Sequence, residues 1–473
     1  MKRWIIGVLL IAGGLFVGGR SFISRHGEAY VKEVLDAYNR ARRGGVRLEL
    51  VSYEGGWNGA EAKVRVRGER DGAQAAVWRT PLILKFRVDY GPLLAGWHPG
   101  LIRLRNESRL SRWMRPDIAR SFLRRVPGDI TCRYDGRMDW WHTMHETIRL
   151  SRIDVNDPKR GERFIVEPPE IRDDFALASL RGRAELSARE ITLLDTEKGE
   201  RLEVLTPRLR AVIDEFNATG PIFGSLAFSV GEVRALLKGK HPGTLRFDGG
   251  GEVSLRRQSP KLATLELAFR GRALDPRACM AWDGLSSVRL QLRVSALGIS
   301  GIEKLAAMQK ERLAVQQELT RALGIRDDVA MQRAILALQA LDDRWIDVYN
   351  TLLISGKTRL QLDEVLKGEK ESRLHLDLTF TGGTLPSDPF RAMVDLTTGM
   401  DRLAAGNFDL RIDAKLLARL SPEGKLILDS MARKGLATLK EGVYHLKGSI
   451  EKGKIVINGT RYAPQELIMM ILI

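Results

Sequence analysis

A chain of 473 residues, 44% hydrophobic and 29% charged with only 17 prolines, has the composition of folded material, and its formal charge is +17. This excludes extensive disorder and argues for two or more packing units. The basic residues are dispersed: the densest spots, Arg40/Arg42/Arg43 and Arg65/Arg67/Arg70, are short. They form no basic arm of the nucleic-acid-binding kind, so no nucleic-acid partner is expected.

The chain opens MKRWIIGVLLIAGGLFVGGRS, with sixteen uncharged residues, Trp4 to Gly19, between Lys2/Arg3 and Arg20. As a helix they span roughly 24 Å against a bilayer core of about 30 Å. Ser21-Phe22-Ile23 extend the span if Arg20 snorkels. Cleavage after Val17-Gly18-Gly19 is the alternative, without an Ala-x-Ala pattern, and no cysteine there marks a lipoprotein. Retention is the favoured expectation: residues 1–23 form a signal-anchor transmembrane helix in a bacterial inner membrane, contacting it through residues 4–19. The positive-inside rule then keeps the N-terminus cytoplasmic and the body periplasmic. Tyr30, Val31, Val34, Leu35 and Tyr38 recur at helical spacing before Gly44-Gly45, which predicts an amphipathic stalk helix over 24–45.

From Val46 the period changes to two. VRLELVSY, AKVRVRGE, LILKFRVDY, GLIRLRNES, RLEVLTPRLRAVI, TLRFDGGGEVSLRR, ATLELAFRGRAL and SVRLQLRVSAL alternate apolar with polar residues, as antiparallel strands with one wet face do. Glu54-Gly55-Gly56, Asp71-Gly72 and Asp248-Gly249-Gly250 read as turns. The body over 46–299 is therefore β-rich, without the helical crossovers of a parallel sheet. Its apolar face needs a cover. Packing of sheet on sheet as ordinary core is the expected arrangement; an uncovered groove suited to acyl chains is the alternative.

Residues 300–355 read as a helical hairpin. GIEKLAAMQKERLAVQQELTRALG ends at Gly324, and a second helix carries Leu338, Leu341, Trp345, Val348 and Leu352 as one stripe. That stripe is expected to cover the sheet, with a partner-binding face as the alternative. The C-terminal β/α region, 356–473, holds the strands TRLQLDEVL and SRLHLDLTFTG, a helix over 388–403, the strand NFDLRIDA and a helix over 415–434. Strands Val443 to Ile450 and Lys454 to Ile457 follow, then a helix from Pro464 ending in seven apolar residues, Leu467 to Ile473. The fold class is mainly β with α: an elongated antiparallel body with an N-terminal transmembrane helix, a late helical-hairpin insert and C-terminal helices.

The order of elements resembles the YdgA-like family of bacterial membrane-anchored periplasmic proteins of unknown function. Three stretches carry the resemblance: LVSYEGGWNGAEAKVRVRG with Val51-Ser52-Tyr53; FRVDYGPLLAGWHPGLIRLRNES with Val88, Asp89, Tyr90, Gly91 and Pro92; and GVYHLKGSIEKGKIVINGTRYAPQEL with Gly453, Ile455, Ile457, Asn458 and Gly459. The resemblance implies an inner-membrane anchor and a periplasmic, mainly β body, with no reaction, cofactor or catalytic residue. Both cysteines and the Trp140-Trp141 pair depart from the pattern. Physically, Gly91-Pro92 end a strand and force a turn, Asp89 can accept backbone hydrogen bonds there, and Asn458-Gly459 suit a turn with positive φ.

Chemistry is sparse. Cys132 and Cys279 are the only cysteines; they suit one disulfide or two unlinked buried thiols, and neither has the spacing of a zinc site. In DWWHTMHE, His142, His145 and Glu146 are metal-ligand types, but the two histidines of a strand point to opposite faces, so no metal is expected. SGKT at Ser355 to Thr358 lacks the upstream glycine and the following helix of a phosphate loop. Asp327-Asp328 and Asp342-Asp343 fit helix ends or solvated faces. No nucleophile elbow, zincin or dinucleotide motif occurs. The expectation is a non-enzymatic envelope protein without cofactors that binds or scaffolds envelope components, lipid among them. An assembly module working through the hairpin and C-terminal helix is the alternative, and a hydrolase the least supported class. Candidate contacts are Trp140, Trp141, Trp345, Leu467 and Met470.

Overall fold

The alternating stretches fold as antiparallel strands, and these dominate the protein. The structure, a computed structural model, describes all residues except 1, 42–45, 58, 69–81, 95–97, 127, 218–219, 239–242, 276–284, 326, 389–390, 393–403, 464–465 and 468–473; of residues 2–16, 46, 68, 93, 98, 237 and 325 it describes the backbone alone. The chain divides into two units: Met1–Ala218 with Leu226–Thr244, and Thr219–Ser225 with Leu245–Ile473.

Unit 1 begins with helix α1 (Lys2–Ala41). Strands β1 (Val46–Gly56), β2 (Gly59–Gly68), β3 (Leu82–Tyr90), the short pair β4 (Leu93–Leu94) and β5 (His98–Pro99), and β6 (Ile102–Arg109) follow. A 3-10 turn at Leu110–Trp113 leads to α2 (Pro116–Arg125), which starts with proline at its first position. Then come β7 (Thr131–Met138), β8 (Thr143–Leu150), β9 (Ile153–Asp157), β10 (Glu162–Val166), β11 (Glu170–Ala176), β12 (Gly182–Ser187), β13 (Glu190–Asp195), β14 (Glu200–Leu205), β15 (Arg208–Glu215) and β16 (Phe223–Leu237).

Pairing sorts these strands into two runs. One runs β1-β2-β3-β6-β7-β8-β11-β12-β15; the other runs β9-β10-β13-β14-β16. After β8 the chain therefore alternates between the runs, mostly hairpin by hairpin. The stretch RLEVLTPRLRAVI shows why: Thr206-Pro207 split it into β14 and β15, which join different runs.

Helix α1 is the main cover of the first run. Ile23, Val31, Val34 and Ala37 are buried against Ala62, Val64, Val88, Ile102, Leu104, Met138 and Met144. Each large apolar side chain so buried contributes about 1.5–3 kcal/mol. The stripe expected on a stalk thus lies on the sheet. Gly27 permits the approach, because a Cβ there would stand 2.3 Å from the Tyr53 hydroxyl and 2.6 Å from the Tyr90 ring. Those hydroxyls hydrogen-bond each other at 2.6 Å, so two residues of the family-like pattern form the seat of α1. Gly91 is equally confined: a Cβ would fall 1.7 Å from the Gly100 carbonyl oxygen, and the Gly91-Pro92 bond is cis. Asp89 differs from expectation. Its carboxylate pairs with Arg105 across to β6 and with Arg87 on its own strand rather than with backbone amides.

In unit 2, β17 (Gly243–Arg257, of which Leu245 onward belongs here), β18 (Leu262–Ala273), β19 (Ser287–Gly298), β20 (Arg359–Lys367), β21 (Glu371–Phe380), β22 (Ala404–Asp413) and β24 (Val443–Glu451) pair in sequence. Beyond β24, β23 (Thr438–Lys440) and β25 (Lys454–Ile457) share its other edge, and β26 (Thr460–Tyr462) pairs with β25. Asp248-Gly249-Gly250 is not a turn: it lies within β17, paired with Arg270, Gly271 and Arg272. Glu54-Gly55-Gly56 is likewise strand, paired with Glu61, Ala60 and Gly59, and the turn falls one residue later at Trp57. Lys452-Gly453 and Asn458-Gly459 all have positive φ between successive strands, and Asn458 Nδ2 also donates to the Gly435 carbonyl at 2.9 Å.

The helical insert joins β19 to its direct neighbour β20. Helix α3 (Ile299–Ile325) is followed by α4 (Asp328–Asp343) and α5 (Trp345–Leu352). Asp327 caps α4 by accepting from Ala330 N at 3.0 Å. The single second helix expected from the stripe is broken at Arg344, which ends α4 and begins α5. The helix expected over 415–434 is likewise two, α6 (Ala414–Leu420) and α7 (Pro422–Arg433). Ser421 breaks them, with Oγ accepting from Gly424 N and Pro422 following. Of the helix expected over 388–403, Arg391 and Ala392 are helical and 393–403 lie outside the described residues, as do Asp71-Gly72 and Pro464.

The seat of α1 makes a prediction. Gly27→Leu should lower the stability of unit 1 by about 1–3 kcal/mol through overpacking against Tyr53 and Tyr90. Gly18→Leu, where a Cβ meets nothing within 4 Å, should leave it unchanged. Urea unfolding of the full chain followed by tyrosine and tryptophan fluorescence reads the difference.

Candidate functional site

The sheet of unit 2 has one face of charge and one of hydrocarbon. Register aligns Leu255–Leu265–Val294–Leu360–Leu378 in one cross-strand row and Val253–Leu267–Leu292–Leu362–Leu376–Phe408 in the next. A third row reads Phe269–Leu290–Glu364–Leu374–Leu410. Packed sheets bury such rows. Here Leu265, Leu267, Leu290, Leu292, Val294, Leu360, Leu362, Leu374, Leu376 and Leu378 are all only half-buried. Val253 and Phe269 are exposed. Sheet-on-sheet packing, the expected arrangement, is not seen on this face among the described residues of unit 2.

The helices frame the face instead. At one end, Ile299 of α3 packs with Phe223, Ala263 and Leu255, and Trp345 and Tyr349 pack with Ile346, Leu385 and Ala392. At the β22–β25 side, Leu417, Leu428 and Met431 cover Phe408, Leu410, Ile412, Leu446 and Ile457. The hairpin stripe therefore covers an end of the sheet rather than its middle.

Unit 1 repeats the pattern. Beyond the reach of α1, the first run presents Ile171–Leu186–Leu209, with Leu186 and Leu209 exposed. In the second run, Val155–Phe164–Leu193–Leu202–Ala235 form a row. Its three large members are 39% to 43% exposed. Exposed hydrophobes aligned in this way mark binding surfaces more than scattered ones do.

The opposite faces carry the arginines, mostly as partners of carboxylates. Arg163 is bidentate to Asp154 at 2.9 and 2.7 Å, Arg103 reaches Asp135 at 2.8 Å and Arg359 reaches Asp377 at 2.6 Å. Two concavities lie on these charged faces, one lined by Glu61, Lys85, Arg87, Arg105 and Glu107 and another by Arg373, His375, Asp409 and Arg411.

The DWWHTMHE segment is a hairpin tip, not one strand. Trp140 and Trp141 occupy the β7–β8 turn, and Trp141 is 78% exposed. His142, at φ 58°, shares a 2.7 Å hydrogen bond with Glu33 of α1. His145 bridges Asp174 at 2.7 Å and Asp139 at 3.2 Å. Among the described residues no cluster of His, Cys, Asp or Glu could hold a metal.

Glu146 is the buried polar centre that sequence reasoning missed, because only register reveals it. It lies opposite Asp173 on β11 and Gly136 on β7, and the hydroxyls of Tyr38 and Tyr134 donate to its two oxygens. Burial pushes its pKa up to about 7, against the two phenols, which favour the charged form. Burial, then the Asp174 charge, pushes Asp173 up to about 6. This carboxylate pair lies beneath α1 rather than in a cleft, which is the wrong setting for hydrolysis.

The remaining candidates are structural or undescribed. Trp345 is half-buried in packing, and Leu467 is buried in the C-terminal cluster, so neither is a free contact. Met470 and Cys279 lie outside the described residues. Cys132 is a free, half-buried thiol whose pKa burial raises. No helix among the described residues is long and apolar enough to cross a membrane. Compared with family models, curated proteins and solved structures, the chain matches none.

Two outcomes follow. Folded Glu146 and Asp173 hold protons more tightly than unfolded carboxylates near 4.5 and 3.8. Their contribution is therefore complete below about pH 4 and is lost as the pH rises through 6 and 7. For Glu146 this is on the order of 3 kcal/mol. Urea midpoints between pH 4.5 and 8 should fall accordingly, and Glu146→Gln should flatten the profile. Separately, Leu376→Ala on the open face should destabilise by about 1 kcal/mol or less, whereas Ile102→Ala beneath α1 should cost about 2–5 kcal/mol.

Proposed function

We propose that this is a non-enzymatic protein of the bacterial cell envelope, held in the inner membrane by residues 4–19 with its body in the periplasm, and that its open apolar faces bind the acyl chains of lipid. One observation carries the reading: ten aliphatic side chains aligned on one face of the unit 2 sheet, each only half-buried. Hydrocarbon left uncovered at that scale is unfavourable in water, at roughly 25 cal/mol per Å². Acyl chains would cover it without requiring directional polar partners. The resemblance of the order of elements to the YdgA-like family points to the same placement.

A second reading has its own support. Leu313, Leu323, Val329, Ile335 and Leu336 of α3 and α4 are exposed, which favours an assembly module working through the helical insert.

Photo-crosslinking in cells separates them. A photoreactive amino acid replacing Leu292 or Leu376 should yield lipid adducts, while the same group at His375, on the charged face, should not. Equal labelling of both faces, or protein adducts alone at 292 and 376, would reject the lipid reading.

A further inference from the structure

Apolar segment and folded body meet without a spacer. Helix α1 is unbroken from Lys2 to Ala41, and the sheet grips it from Gly19 onward. A Cβ on Gly19 would stand 3.5 Å from the Pro92 ring, and Arg20 Nε donates to the Trp57 carbonyl at 3.3 Å. Ile23 is fully buried, with its Cδ1 3.4 Å from where a Gly91 Cβ would lie. The β1–β2 turn and the Gly91-Pro92 segment therefore stand level with residues 19–23, within a few ångströms along the axis of the end of the Trp4–Gly19 run.

That level carries unusual surface. Trp57 is 49% exposed on the turn and Phe22 55% exposed on the helix, with Arg20 between them and Arg25 exposed one turn on. Phe22 stacks on His26 at 4.3 Å on one side, and the remaining surface of both rings faces water. At a bilayer surface the same set is favourable: the indole lies at headgroup depth, and a guanidinium meets phosphate.

We infer that this end of unit 1 is a membrane-contact surface, with Trp57 and Phe22 seated at the headgroup boundary and Arg20 on lipid phosphate. The inference rests on the proposed anchoring of residues 4–19. It replaces a stalk with direct seating, so that strands β1 to β3 start at the bilayer.

The test uses the full chain in vesicles of phosphatidylethanolamine and phosphatidylglycerol. Cys132→Ser and Cys279→Ser remove the native thiols, and Trp57→Cys carries an environment-sensitive dye; Lys159→Cys, in the β9–β10 turn, is the control. At 57 the emission should shift to the blue, be quenched by lipids brominated near the headgroup, and resist aqueous iodide severalfold better than at 159. A chain that floats with the vesicles but leaves 57 as accessible to iodide as 159 overturns the seating and spares the anchor. Shielding from iodide without quenching by brominated lipid means a second copy covers Trp57, and also overturns it. A chain that does not float overturns the anchor and the seating together.

Discussion

An antiparallel sheet built from alternating residues must put its apolar side chains on one face, and among the described residues that face extends beyond what the helices cover. The limit is one of area. Helix α1, with side chains from Ile23 to Ala37 buried on the sheet, closes the face of the first strands of unit 1 and ends there. In unit 2 the helices attach at an end and at one side. What they leave open is the candidate site, and the functional reading follows from that shortfall.

The covered and open regions differ in more than burial. Under α1 the sheet admits polar groups only when they are hydrogen-bonded: the Tyr53–Tyr90 pair and the Glu146 carboxyl between Tyr38 and Tyr134. A low-dielectric site makes the carboxyl retain its proton, which ties the docking of α1 to pH. On the open face of unit 2 the rows are almost purely aliphatic, and Glu364 is the exception in its row. Such a surface discriminates by shape and hydrocarbon content, not by hydrogen bonding. That suits acyl chains better than a substrate requiring chemistry.

Charge is arranged to keep the opposite faces in water. The arginines behind the net charge of +17 lie largely on those faces, many of them paired to a carboxylate on a neighbouring strand. Exposed pairs of this kind add little stability each, but they oppose burial of the wrong face and fix which side of the sheet is left for hydrocarbon.

Period-two alternation by itself determined the antiparallel strands and which residues share a face, and paired glycine signals determined turns such as Asn458-Gly459. Those are local properties, governed by side-chain direction and allowed φ. Tertiary structure decided the rest. Asp248-Gly249-Gly250 became mid-strand because two neighbouring ladders paired through it. A helix that looked like a stalk became core because Gly27 lets it lie on Tyr53 and Tyr90. Glu146 became a buried proton-holding group because register set it beneath Tyr38. Above all, alternation cannot say whether an apolar face is covered, since the pattern is identical for a packed core and an open one; only the placement of the helices distinguishes them.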